Sequence, residues 1–424
     1  MVYKFAFRLQ NCITFVMICC MEAVYIKRDI EPLILKCLKM FPSVALSGAR
    51  QTGKSTLLKK LLKDKYKYIT FDDPLIREQA ISDPRLFLEN AAEYVILDEI
   101  QYVPQIVSYV KIAIDEKRNK TGRFVLTGSQ QFTLIKNLGD SLAGRVGLIN
   151  LFPFSIEEKK KKITLKKKLT NTLNTFIHSC LIGSYPELVV KSKINTNIWY
   201  STYLQTYLER DVRGIYDIGS LRDFQLFIQL LASRCAQILN LSTFASELGI
   251  SVNTIKKWIS ILEASQIIYI LPAYYRTLGK RIARSPKIYF YDVGLVCYLT
   301  GITTKDQLLQ GPMKGQCFEN FCIQEIIKQF YTKGQKPNLY FLRTNNGLEI
   351  DLLIEGAGLK ITPVEIKMSK SPKPEFAKNI ENFKKTFSKL EQNDGKLICL
   401  NEDSYKISKN VECCALEQFL ESIH

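Results

Sequence analysis

Between residues 41 and 151 the chain alternates short apolar runs with one-sided helical stretches. The runs at 44–47, 68–72, 94–98, 124–127 and 146–151 are rich in Val, Ile, Leu and Phe. Near-continuous apolar strands separated by amphipathic helices predict βαβ units and a parallel sheet covered on both faces. Residues 171–240 follow a helical period, and the aromatic residues at 199–207 are spaced as a core stripe. Residues 241–270 read as helix, turn, helix and strand. From 315 onward, a helix at 318–330, a strand at 339–343, a hairpin and a closing helical region predict a small α/β unit.

Length and composition narrow the classes. At 424 residues the chain is long enough for about two to three domains. With 46% hydrophobic and 24% charged residues it is neither wholly disordered, collagenous nor a multi-span membrane protein. The net charge of +18 favours polyanionic partners such as nucleic acid or phosphorylated ligands. The 12 cysteines are scattered without a CxxC pair, and only His178 and His424 could complete a mixed metal cluster. Reduced cysteines in a cytoplasmic protein are the reading this supports. Lys4 and Arg8 precede an apolar run at 12–21 that is too short to span a bilayer and lacks a small-x-small cleavage site. Residues 1–20 read as an N-terminal extension ahead of Met21, with a membrane tether as the alternative; no stable membrane insertion is expected.

The chemistry begins at Gly48-Ala49-Arg50-Gln51-Thr52-Gly53-Lys54-Ser55, followed by Thr56. It fits GxxxxGK[ST] between an apolar strand and a helix. Such a loop turns backbone N–H groups onto ATP phosphates, with Lys54 on the terminal phosphates and the Ser55 hydroxyl on Mg²⁺. A second apolar strand ends in Asp98 and Glu99, where Asp98 would complete the Mg²⁺ shell and Glu99 would polarise the attacking water. A third ends in Thr127 and Ser129, whose hydroxyls could sense the γ-phosphate. Arg145 is the first arginine available for transition-state charge, with a structural ion pair as its other reading.

Residues 48–56, 68–74, 97–104, 126–129 and 141–145, with later stretches at 207–212, 285–295 and 349–351, resemble the prokaryotic AAA+-like ATPases that carry a C-terminal domain of unknown function. The resemblance covers nearly everything after residue 21 and implies ATP binding and hydrolysis in the cytoplasm.

Residues 241–262 place apolar positions at helical spacing around a turn at Gly249, with Ser251 as N-cap, as a winged helix begins. Its second helix would turn Ser251, Asn253, Thr254, Lys256 and Lys257 outward, toward double-stranded DNA or against a neighbouring module as a packing lid. Residues 267–272 and 287–291 would form the wing.

In the tail, Glu319 lies on a helix, Asp351 in one strand, and Glu365 and Lys367 two apart in the next. Residues two apart share a strand face, so these side chains could converge with Glu349. Carboxylates and a lysine so arranged suit Mg²⁺-dependent phosphodiester cleavage. The pattern looks like the PD-(D/E)XK nuclease core, whether active or degenerate.

The expectation is therefore an α/β P-loop sheet at 21–156, a basic linker and helical segment at 157–215, a winged-helix domain at 216–300 and a nuclease-like α/β domain at 301–424. The run at 159–168, with its seven lysines, reads as solvated. ATP and Mg²⁺ are the expected cofactors. Double-stranded DNA and a second copy of the chain are the expected macromolecular partners. The functional alternatives are a nucleotide-dependent DNA-binding switch and an ATPase-regulated nuclease.

Overall fold

The computed structural model describes residues 25–128, 142, 144–191, 193–212, 218–274 and 285–423. Residues 1–20 and Ser129 lie outside that set.

The first module is a sheet of β1 (Ser43–Ser47), β2 (Lys67–Thr70), β3 (Val95–Asp98), β4 (Phe124–Gly128) and β5 (Val146–Asn150), in the order β2-β3-β4-β1-β5. Every pairing is parallel. Alternate residues explain why β1, β3 and β4 are apolar at successive central positions. Val44, Leu46, Ile96 and Val125 face Ile34, Leu57 and Leu58 on one side. Ala45, Leu97 and Leu126 face Val107, Val110 and Ile114 on the other. This is the P-loop NTPase arrangement, with helix α1 (Lys54–Leu62) following β1.

The middle is helical. The stripe at 199–207 is core: Trp199 stacks on Tyr203 with ring centroids 5.2 Å apart, and Tyr200 and Tyr207 are buried. Helix α2 (Leu221–Ser233) packs against α3 (Leu241–Leu248) and α4 (Val252–Ala264), with Trp258 wedged between Phe224 and Phe227. Gly249 ends α3 in the left-handed region at φ 66°, and the Ser251 hydroxyl accepts the Thr254 N–H to start α4. An antiparallel pair follows, β6 (Ile268–Leu271) and β7 (Lys287–Phe290), within a residue of the expected wing.

The tail begins with the long helix α5 (Lys314–Thr332). It covers a mixed sheet of β8 (Leu339–Arg343), β9 (Glu349–Glu355), β10 (Ile361–Ile366), β11 (Gly395–Cys399), β12 (Tyr405–Ser408) and β13 (Val411–Ala415), ordered β12-β13-β11-β10-β9-β8. The expected hairpin joins β9 to β10, with Glu355 opposite Ile361.

Two expectations change here. A single apolar core runs from Phe152 through the middle helices to Ile423, so 157–215 is an integral layer rather than a linker. The lysine run is not uniformly solvated. Lys159 is fully buried, donating to Ser179 Oγ at 2.7 Å and Ser184 Oγ at 3.2 Å, and burial pulls its pKa down to about 8. Lys161 pairs with Asp29, and Lys162 donates to the Val189 and Val190 carbonyls at 2.9 Å each. Lys166, Lys167 and Lys168 are exposed, as expected of solvated lysines. Among the described residues no helix is long and apolar enough to cross a membrane.

Candidate functional site

The loop from Gly48 to Lys54 is fixed by its glycines and by a distant arginine. A Cβ on Gly48 would lie 2.4 Å from the Leu151 carbonyl oxygen, so only glycine fits there. Gly53 holds φ 91° as the residue that opens α1. The Thr52 hydroxyl donates to the Ala49 carbonyl at 2.8 Å, and Lys54 Nζ donates to the Gly48 and Ala49 carbonyls at 2.8 and 3.2 Å. Arg28 then clamps the loop from outside. Its Nη1 donates to the Thr52 carbonyl at 2.9 Å, Nη2 to the Phe152 carbonyl at 2.7 Å, and Nε pairs with buried Glu158 at 2.8 Å.

Asp98, at the end of β3, is nearly inaccessible and accepts hydrogen bonds from three sides: Ser55 Oγ at 3.0 Å, the Tyr68 hydroxyl and the Thr127 hydroxyl. Thr127 reaches it because β4 lies between β3 and β1. Burial and the bond to Asp98 raise the Tyr68 phenol well above its usual range, so it remains a donor. Glu99 sits in the left-handed region at φ 58°, with its carboxylate held by the Gln101 amide. The oxygens of Ser55 and Asp98 are hard ligands side by side, a donor set that suits Mg²⁺. Beside the loop lies a cavity of about 320 Å³ lined by Tyr25, Arg28, Thr56, Leu57, Phe154 and Pro186, among others.

Arg50, Gln51 and Thr56 lie at the loop surface, as the motif implies. Arg145 does not reach it. It precedes β5 at the opposite end of the sheet from the loop and makes a two-pronged ion pair with Asp115, at 2.7 and 3.2 Å.

On α4, Asn253, Lys256 and Lys257 are exposed. The hydroxyls of Ser251 and Thr254 are instead engaged with each other at 2.9 Å in the cap. The turn after α4 reaches the nucleotide module: Gln266, buried at φ 55°, donates from Nε2 to Asn150 Oδ1 at 3.1 Å and to Ser47 Oγ at 3.5 Å.

The tail residues do converge. Lys367 Nζ lies 3.1 Å from Asp351 Oδ2 and 2.6 Å from Glu365 Oε2. The latter contact is an ion pair outside hydrogen-bonding geometry, and both Glu365 oxygens lack a hydrogen-bond partner. Burial and neighbouring Asp351 push Glu365 up to about 8. Burial opposes ionisation of Asp351, but Lys367, Lys287 and the Ile366 N–H outweigh it and hold that carboxyl low. Glu319 joins the cluster through Tyr289 Oη at 2.6 Å.

A family model described as an AAA domain matches residues 41–159. The chain carries an AAA domain. Two further models, both described as domains of unknown function, match residues 173–306 (DUF8612) and 314–419 (DUF4143). The uncharacterized protein Rv2008c of Mycobacterium tuberculosis is 27% identical over 348 residues, covering 82% of this chain and 75% of that protein. Among solved structures, the Walker-type ATPase PABY2304 of Pyrococcus abyssi aligns at TM-score 0.44 and 16% identity, over 66% of this chain and 97% of that one. The ORC1 protein of Aeropyrum pernix, solved in complex with DNA, aligns at TM-score 0.31 and 11% identity, over 66% and 93%.

Sequence reasoning found the AAA loop and its acids but missed Arg28, Tyr68, Pro186 and Gln266. Of these, Tyr68 alone carried a local signal, as a polar-tipped aromatic in the strand beside β3.

Proposed function

We propose that the AAA domain binds ATP with Mg²⁺ and hydrolyses it. The observation that carries this reading is the hydrogen-bonded set of Ser55, Asp98 and Thr127 beside a glycine-shaped loop. Gly48, Ala49, Arg50, Gln51, Thr52, Gly53 and Thr56 shape the phosphate cradle, and the apolar cavity between Tyr25 and Pro186 takes the base. Ser55 and Asp98 would hold Mg²⁺, which neutralises phosphate charge and fixes its geometry. Lys54 exchanges the two loop carbonyls for the terminal phosphates. Glu99 Oε accepts the proton of the attacking water, and Gln101 sets the direction of that carboxylate. Gln266 supplies a route from the loop strand to the middle module.

Phosphate release by the full chain tests this. Glu99→Gln should bind ATP but not turn it over, and Lys54→Ala should lose both. Undiminished hydrolysis in Lys54→Ala would refute the assignment.

The exposure of Asn253, Lys256 and Lys257 on α4, in a chain of net charge +18, favours a second reading in which the middle module binds double-stranded DNA. Binding should weaken steeply with salt and fall in Lys256→Ala. No binding at low salt would remove this reading.

A further inference from the structure

The tail acids as folded do not present themselves to a divalent ion, because a lysine from the preceding module is already among them. Lys287 comes from β7, is nearly inaccessible, and sits with Nζ 3.0 Å from Glu349 Oε1, 3.2 Å from Glu319 Oε1 and 3.9 Å from Asp351 Oδ1. Divalent ions need oxygens converging at about 2.0–2.6 Å. Among the described residues no group of acids is arranged to hold a metal ion. What these acids surround is an ammonium. Burial opposes its charge, but Glu319, Asp351 and Glu349 more than compensate and hold it protonated.

The lysine is delivered by a strand that is itself fastened to the acid-bearing helix. The Phe290 N–H donates to Asn320 Oδ1 at 2.7 Å and the Asn320 amide returns a bond to the Phe290 carbonyl at 3.0 Å. One turn further along α5, Gln324 accepts the Val293 N–H at 2.8 Å. Tyr289, two residues from Lys287 on the same strand, donates to the oxygen of Glu319 that also faces Lys287. Glu365 lies on the far side of Asp351, about 1% exposed, with no hydrogen bond to either carboxylate oxygen. The cluster is thus closed by a tethered cation on one side and by Lys367, paired with Asp351 and Glu365, on the other.

We propose that Lys287 is a built-in cation that occupies the place a divalent ion would take among Glu319, Glu349 and Asp351. This inference is independent of the ATP assignment.

The test is Mn²⁺ binding to the full chain without nucleotide, read as loss of the free-ion paramagnetic signal. Wild type should take up no Mn²⁺ at the tail. Lys287→Met, which keeps the side-chain volume and removes the charge, should gain about one ion per chain. Adding Asp351→Asn to that variant should abolish the gain. The melting temperature of Lys287→Met should rise with Mn²⁺, while that of wild type stays put. If Lys287→Met fails to fold, Lys287→Gln, which removes the charge, keeps a polar tip and leaves all three acids in place, carries the same test. Mn²⁺ uptake by wild type that Asp351→Asn abolishes would overturn the proposal, and so would a folded Lys287→Met chain that gains no ion.

Discussion

At the phosphate loop the Lys54 ammonium rests on two backbone carbonyls, whereas in the tail the Lys287 ammonium is held among three carboxylates. Both lysines are buried. The difference lies in what each would lose by moving. A bond from an ammonium to a neutral carbonyl contributes about 1.5–3 kcal/mol net and is replaced in kind by a phosphate oxygen. Removing one partner from a buried ion cluster costs about 3–5 kcal/mol, because uncompensated charge is left behind. The first site is therefore ready for a ligand, and the second is satisfied without one.

The largest effect that would sharpen this contrast is on folding. Lys287→Met should destabilise the chain by about 3–5 kcal/mol in chemical denaturation, since it removes the buried ammonium that Glu319, Glu349 and Asp351 share. Loss of less than about 1 kcal/mol would mean that the ammonium contributes little there. Next in size, Lys54→Ala should lower ATP turnover by roughly 100-fold or more, with the melting temperature close to wild type. A comparable fall in stability would place Lys54 among structural lysines instead.

Smaller again is Tyr68→Phe. It deletes one of the hydrogen bonds that orient Asp98 and should weaken half-saturation by Mg²⁺ about fivefold, equivalent to ~1 kcal/mol, with little change in maximal rate. An unchanged Mg²⁺ dependence would show that Ser55 and Thr127 orient Asp98 by themselves.

A separate effect, spread over several pH units, concerns His178, whose Nδ1 is buried without a hydrogen-bond partner. Burial, followed by nearby Lys159, depresses its pKa from 6.5 to about 3. Between those values the unfolded chain binds a proton that the folded chain refuses, so stability falls as pH drops through that window. The slope from this one group is at most about 1.4 kcal/mol per pH unit. His178→Gln should flatten that limb relative to wild type, and identical limbs would contradict the buried neutral imidazole.

These contrasts also show what was legible in the sequence. The parallel sheet was legible because strands buried on both faces are apolar in consecutive runs, as in Val95, Ile96 and Leu97. The phosphate loop was legible because its chemistry is contiguous. The tail acids were legible because strand alternation pairs Glu349 with Asp351 and Glu365 with Lys367. What decides the behaviour of each site came from afar. Arg28 meets the Phe152 carbonyl 124 positions away, Gln266 meets Ser47 across 219, and Lys287 reaches Glu319 across 32 and into a different module. No local pattern announces such partners. The lysine run misled for the same reason: Lys159 is a core residue only because Ser179 and Ser184 meet it inside the fold. Arg145, read either as an arginine for transition-state charge or as a structural ion pair, is held by Asp115, which the loop motif does not include.

The measurement that bears most directly on the account is a count of Mn²⁺ bound by the wild-type chain with and without a non-hydrolysable ATP analogue, repeated in Lys54→Ala and Asp351→Asn. An open loop site and a tail centre occupied by its own ammonium predict about one ion per chain with the nucleotide and none without it. That ion should be lost in Lys54→Ala and retained in Asp351→Asn. Uptake without nucleotide that disappears in Asp351→Asn, or no uptake with it, would contradict the account.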